Sequence, residues 1–143
     1  QNPALMEQVR KATAGTIPGI NVMGFAGALA AFQHGAQWLS ELLPYVAANR
    51  DYVIEYLREN MPVIRTTRPE ATYLMWLDCS ATTIQGNPHE FFLQNAKVAL
   101  NDGEMFGPGG EGFVRLNLAC PRATLVEALH RMRTALAALR HTS

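Results

Sequence analysis

Apolar residues recur at helical spacing through the first third of the chain. After a Gly/Pro-rich break from Gly15 to Asn21, the residues Phe25, Leu29, Phe32, Ala36, Leu39 and Leu43 fall on one stripe. That pattern predicts an amphipathic helix, with Asn21 placed to cap it. Pro44 should kink or interrupt this helix, because proline removes a backbone donor and crowds the preceding turn. A second helical stretch follows through Tyr45, Ala48, Tyr52, Tyr56 and Leu57. Together the two stretches predict a long bent arm ending near Pro62.

From Val63 the period changes. VIRTT and then ATYLMWLDC are rich in β-branched and aromatic residues, with turn-forming Arg68-Pro69-Glu70 between them, and they predict two strands. Asn87-Pro88-His89-Glu90 joins a cap residue, a proline at the first helical position and an acid three residues after the cap. It predicts a helix through Phe91, Phe92, Asn95 and Val98 that stops by Asn101-Asp102-Gly103. The Gly-rich run Phe106 to Gly112 leads directly into FVRLNLAC. On that strand Phe113, Arg115, Asn117 and Ala119 share one face, and Val114, Leu116 and Leu118 share the inward one. From Pro121 a last helix carries the apolar stripe Leu125, Val126, Leu129, Met132, Leu136 and Leu139, with Arg131, Arg133 and Arg140 toward its C-terminal end, where the helix dipole favours cations. The order is helical arm, β, β, α, β, β, α. It predicts an α+β fold, a small sheet with helices packed on it, with the arm over residues 1–61 and the small domain over 62–143.

Composition narrows the possible functions. The 143 residues include 48% hydrophobic and 17% charged ones, enough for one sizeable core. Twelve basic residues cancel twelve acidic ones, so nucleic acid and anionic membrane surfaces are not expected partners. No run reaches the roughly 18 uninterrupted apolar residues of a membrane span. Cys79 and Cys120 stand far apart, and His34, His89, His130 and His141 are scattered, so the reading is two free thiols, no metal site and a reducing cytoplasm. The chain begins with Gln1 rather than Met, which leads us to expect a fragment.

Few residues invite chemistry. The glycines from Gly107 to Gly112 could in principle cradle an anion, but a phosphate loop precedes a helix and brings a Lys and a Ser/Thr, whereas this run precedes a strand and brings neither. A hairpin or flexible connection is expected instead. Arg115 has two readings: a solvated edge-strand arginine, or a guanidinium fork on a rigid strand suited to two-point binding of a carboxylate. Tyr73 and Trp76 are read as packing aromatics rather than cofactor-stacking ones. Asp78 and Asp102 have no neighbouring partner in sequence for acid–base work and are assigned no chemistry.

A resemblance favours the second reading of Arg115. The segments Asn49-Arg50-Asp51-Tyr52-Val53, EATYLMWLDC and VALNDGEMFGPGGEGFVRLNLACPR resemble the C-terminal third of class I/II (fold type I) pyridoxal-phosphate aminotransferases, and within these the cystathionine β-lyase, cystalysin-like C–S lyases. The resemblance covers nearly the whole chain. It implies an aminotransferase C-terminal small domain in which Arg115 binds the α-carboxylate of an amino-acid substrate. It also implies a cytoplasmic homodimer with pyridoxal 5'-phosphate as cofactor in the intact enzyme. Family members hold that cofactor through a lysine in a Ser-x-Ser-Lys-like segment, a stacking aromatic and an aspartate, all upstream of the stretch matched here. Lys11 and Lys97 lie in no such context. The chain by itself is therefore expected to hold no catalytic residue and no cofactor, and to be inactive. The alternatives are an aminotransferase, or a stand-alone α+β module that binds a small anionic molecule.

Overall fold

The structure, a computed structural model, describes residues 2–16 and 19–139. Ile17 and Pro18 of the expected break, and Arg140 and His141, lie outside the described residues. The chain divides into two compact units, one running to Glu41 and the other beginning at Leu42.

The first unit is helical. In α1 (Pro3–Thr13) the Asn2 side chain accepts from the Ala4 and Leu5 amides, and in α2 (Val22–His34) Asn21 caps as expected, accepting from the Gly24 amide at 2.7 Å. Neither helix buries a residue within the described structure, and the predicted stripe Phe25, Leu29, Phe32, Leu39 is solvent-facing.

The helix break falls earlier than the sequence suggests. It lies at Gly35, between α2 and α3 (Ala36–Asn60), while α3 runs through Pro44 without interruption. At Gly35 a Cβ would sit 2.4 Å from the Ala31 carbonyl, so the chain turns where only glycine fits. Pro44 costs α3 one hydrogen bond, which a 25-residue helix tolerates.

The second unit holds the core. Its four-stranded sheet is antiparallel throughout, in the order β1 (Arg65–Thr66), β2 (Leu74–Asp78), β4 (Phe113–Asn117), β3 (Asn101–Asp102). Alternation settles its two faces. Met75 and Leu77 of β2 are buried, and so are Val114 and Leu116 of β4 with Leu118 just beyond, the last three as the sequence predicts. They share one cluster with Val53 and Leu57 of α3, Phe92, and Leu125, Leu129 and Met132 of α5 (Arg122–Leu139). Each such large apolar side chain contributes about 1.5–3 kcal/mol by leaving water. On α5 the buried stripe includes Ala135 and leaves Val126 outside, 37% exposed.

Two elements are shorter than expected. β1 covers only two residues. The helix opened by Asn87, α4 (Pro88–Phe91), passes into a π-helical turn over Phe92–Ala96 and ends at Lys97, in the left-handed region at φ 54°. Asn101 and Asp102, expected to lie past a helix end, are instead strand β3, because their backbone pairs with Arg115 and Val114. The segment around Arg50 also binds the β1–β2 turn: the Arg50 guanidinium donates to the Pro69 carbonyl and to Asp51, which pairs with Arg68 at 2.9 Å. Asp51 is thereby held below the usual carboxylate range, chiefly by the Arg50 hydrogen bond.

Candidate functional site

The outward face of the sheet gathers the residues of interest. Antiparallel register sets Trp76 opposite Arg115, and Arg115 opposite Asn101, so side chains from three neighbouring strands project on the same side. Arg115 is half-buried at the centre of this row. Its Nε and Nη2 donate to Asn101 Oδ1 at 3.4 and 3.2 Å, and its Cζ lies 4.4 Å from the centroid of the Phe106 ring. Trp76 braces the arrangement, edge-on to Phe106 and stacked on Phe113, with ring centroids 5.5 Å apart in both pairs. Trp76 therefore packs, as read from the sequence, although it packs on the outward face. Tyr73 is half exposed.

The glycine run closes the β3–β4 hairpin. Gly107, Gly109 and Gly112 all have positive φ, and the Phe113 amide donates to the Gly110 carbonyl at 3.1 Å. Gly103 and Gly110 meet backbone to backbone: a Cβ on Gly110 would lie 2.1 Å from the Gly103 carbonyl oxygen. This crossing sets where Phe106 stands relative to Arg115. The run is a structural turn, in keeping with the hairpin expectation.

The acids are occupied locally. Asp78 accepts from the Ser80 hydroxyl at 2.5 Å and the Ser80 amide at 2.9 Å, which lower its pKa, and Asp102 accepts from Asn87 and from the Glu104 amide. Cys79 and Cys120 are free thiols. No group of three potential metal ligands is found among the described residues, and no described helix is long and apolar enough to cross a membrane.

Sequence reasoning singled out Arg115 and passed over its two neighbours. Asn101 looked like a helix stop and Phe106 like the edge of a loop. The only sequence signal for either was proximity to the glycine run.

No family model matches the chain. It is 38% identical over 119 residues to the cystathionine beta-lyase PatB of Bacillus subtilis, covering 82% of this chain and 31% of that protein. It is 37% identical over 121 residues to a cystathionine beta-lyase of Corynebacterium glutamicum, covering 85% and 32%. Among solved structures, cystalysin of Treponema denticola, which contains a pyridoxal 5'-phosphate cofactor, superposes with a TM-score of 0.84 at 29% identity, covering 97% of this chain and 36% of that one. Aminotransferases are further relatives. The chain is homologous, over most of its length, to one part of the pyridoxal-phosphate enzymes of the aminotransferase superfamily. Within it, the matched relatives named here are cystathionine β-lyases and a cystalysin, and the chain spans about a third of their length.

Proposed function

We propose that this chain is the C-terminal part of a pyridoxal-phosphate-dependent C–S lyase of the cystathionine β-lyase type, and that Arg115 binds the α-carboxylate of its amino-acid substrate. The observation that carries the reading is the placement of Arg115: a half-buried guanidinium in mid-strand, steadied by Asn101 and Phe106, in a chain 38% identical to a cystathionine β-lyase. A guanidinium on a rigid strand makes a planar two-point contact that fixes both the position and the rotation of a carboxylate. Fixing the carboxylate sets which bond of the α-carbon is presented for reaction, and such orientation lowers the entropic part of the barrier.

The chain's own lysines do not fit the cofactor. Lys11 pairs with Glu7 at 3.9 Å on solvent-facing α1, and Lys97 ends the π-helical turn with its side chain exposed. Pyridoxal phosphate, when bound, supplies an electron sink for the α-carbon. In this proposal its anchoring groups lie in the rest of the enzyme, and so does the surface that covers the exposed helices of the first unit, shared between a large domain and a second subunit. The isolated chain is then inactive. Incubation with pyridoxal phosphate followed by borohydride reduction should leave no stoichiometric label at a single lysine, and a specific label accompanied by turnover would refute the reading.

The decisive measurement uses the full-length enzyme. Arg115→Ala should lower kcat/KM for amino acids by about tenfold to several hundredfold, the cost of losing a charge-assisted contact. Arg115→Lys should restore only part of it. An amine lacking the α-carboxylate should be nearly indifferent to both changes. Equal losses with and without the carboxylate would make Arg115 a solvated strand residue. The same clamp would serve an aminotransferase, as the relatives of that class suggest, and product analysis separates them: a lyase of this type releases a thiol, ammonia and pyruvate, whereas a transaminase conserves the amino group.

A further inference from the structure

A guanidinium offers five N–H donors in a plane, and a carboxylate can dock bidentately on its side edge, through Nε and one terminal nitrogen, or on its end, through the two terminal nitrogens. In this structure the side edge of Arg115 is taken. Asn101 Oδ1 accepts from both Nε and Nη2, and the Phe106 ring lies against the guanidinium. The remaining N–H groups, on Nη1 and Nη2, form the end of the fork.

We propose that Asn101 is a positioning residue that closes the side edge of Arg115 and so commits the substrate carboxylate to the end of the fork. The inference rests on the carboxylate-binding reading of Arg115. Two docking edges would place the substrate's α-carbon in two positions, only one of which can be productive, so closing one edge selects the geometry. The closure is rigid at the backbone, because Asn101 and Arg115 are paired residues of β3 and β4, and the close contact of Gly103 with Gly110 fixes the hairpin between them. It is also electrically neutral. An amide oxygen occupies two donors without cancelling the positive charge that attracts the substrate, which a carboxylate at the same place would do.

Two substitutions in the full-length enzyme separate these features by their kinetic signatures. Asn101→Ala opens the side edge, so substrate also binds there non-productively, and kcat and KM for amino acids should fall together by about threefold to tenfold, leaving kcat/KM nearly unchanged. Asn101→Asp keeps the edge closed but neutralises the guanidinium, so KM should rise by a similar or larger factor with kcat nearly kept. Neither should alter turnover of an amine lacking the α-carboxylate. A merely structural role would lower kcat without lowering KM in both variants, and equally for both substrates, alongside a loss of thermal stability; that result, or two variants indistinguishable from wild type, overturns the proposal. Arg115→Ala assayed in parallel distinguishes the levels of failure. If it shows a carboxylate-dependent loss while the Asn101 variants show none, this inference alone falls; if it shows no such loss, the reading beneath falls with it.

Discussion

Asn49 on α3 donates its side-chain amide to the carbonyl of Leu118, 2.8 Å away at the end of β4, and also to that of Cys120 at 3.0 Å. The residue is completely buried, and the Tyr45 hydroxyl one turn earlier accepts from the Arg122 amide at 2.7 Å. Two residues of one helix thus hold the passage from β4 into α5. Asn49→Ala should destabilise the fold by about 2–4 kcal/mol, since it removes two hydrogen bonds and takes the donor from the buried Leu118 carbonyl. Asn49→Asp should cost at least as much at neutral pH, because a carboxylate would face two carbonyl oxygens. Denaturant titration reads both, and a loss under about 1 kcal/mol for the alanine variant would mean that packing alone secures the passage.

Gly110 is required for lack of a side chain rather than for an unusual φ. Its added Cβ would meet the Gly103 carbonyl at 2.1 Å, a backbone atom that cannot swing aside. Gly110→Ala should therefore cost about 1–3 kcal/mol and displace Phe106 from Arg115. In the intact enzyme the second effect would appear as a carboxylate-dependent loss of kcat/KM beyond what reduced stability explains. Retained stability and activity would mean that the hairpin relaxes freely.

The two thiols should differ in reactivity. Burial, helped by the charge of Asp78, pushes the Cys79 thiol up to about 12, while Cys120 is partly exposed and is raised by burial alone. At pH 8 only about one Cys79 in ten thousand would be thiolate even if a reagent reached it. A thiol reagent at neutral pH should thus label Cys120 first and Cys79 only on unfolding. The folded pKa of Cys79 exceeds its unfolded value near 9, so its contribution to stability is complete below about pH 9 and declines as pH rises toward 12. Rapid native labelling of Cys79 would contradict the buried placement.

The first unit leaves large apolar side chains in solvent, with Phe32 92%, Ile20 81% and Trp38 66% exposed. Surfaces of this kind drive association, so the isolated chain should show concentration-dependent mass in sedimentation experiments. Phe32→Asp together with Trp38→Asp should shift it toward monomer without altering the melting of the second unit. A monomer at all concentrations would show that this surface needs no cover.

Much of the second unit was legible in the sequence because its signals are local. Alternation in FVRLNLAC assigned Val114, Leu116 and Leu118 to the core and Arg115 to the other face, and period and capping placed α4 and α5. The Asn21 cap of the first unit was legible for the same reason. Pro44 misled because its cost is one local hydrogen bond, which the 25-residue α3 absorbs, while the break falls at Gly35, where a side chain would meet a preceding carbonyl. Period and capping cannot reveal which residues become neighbours across strands. Asn101 and Arg115 are 14 positions apart and Asn49 and Leu118 are 69 apart, and they meet only because the antiparallel register of the sheet and the docking of α3 bring them together. The sequence by itself determined that an arginine would stand on the outward face of a strand. Only the tertiary structure decided what surrounds it, because side-chain direction follows from the two-residue period of a strand, whereas the partners of a side chain follow from pairing between distant segments.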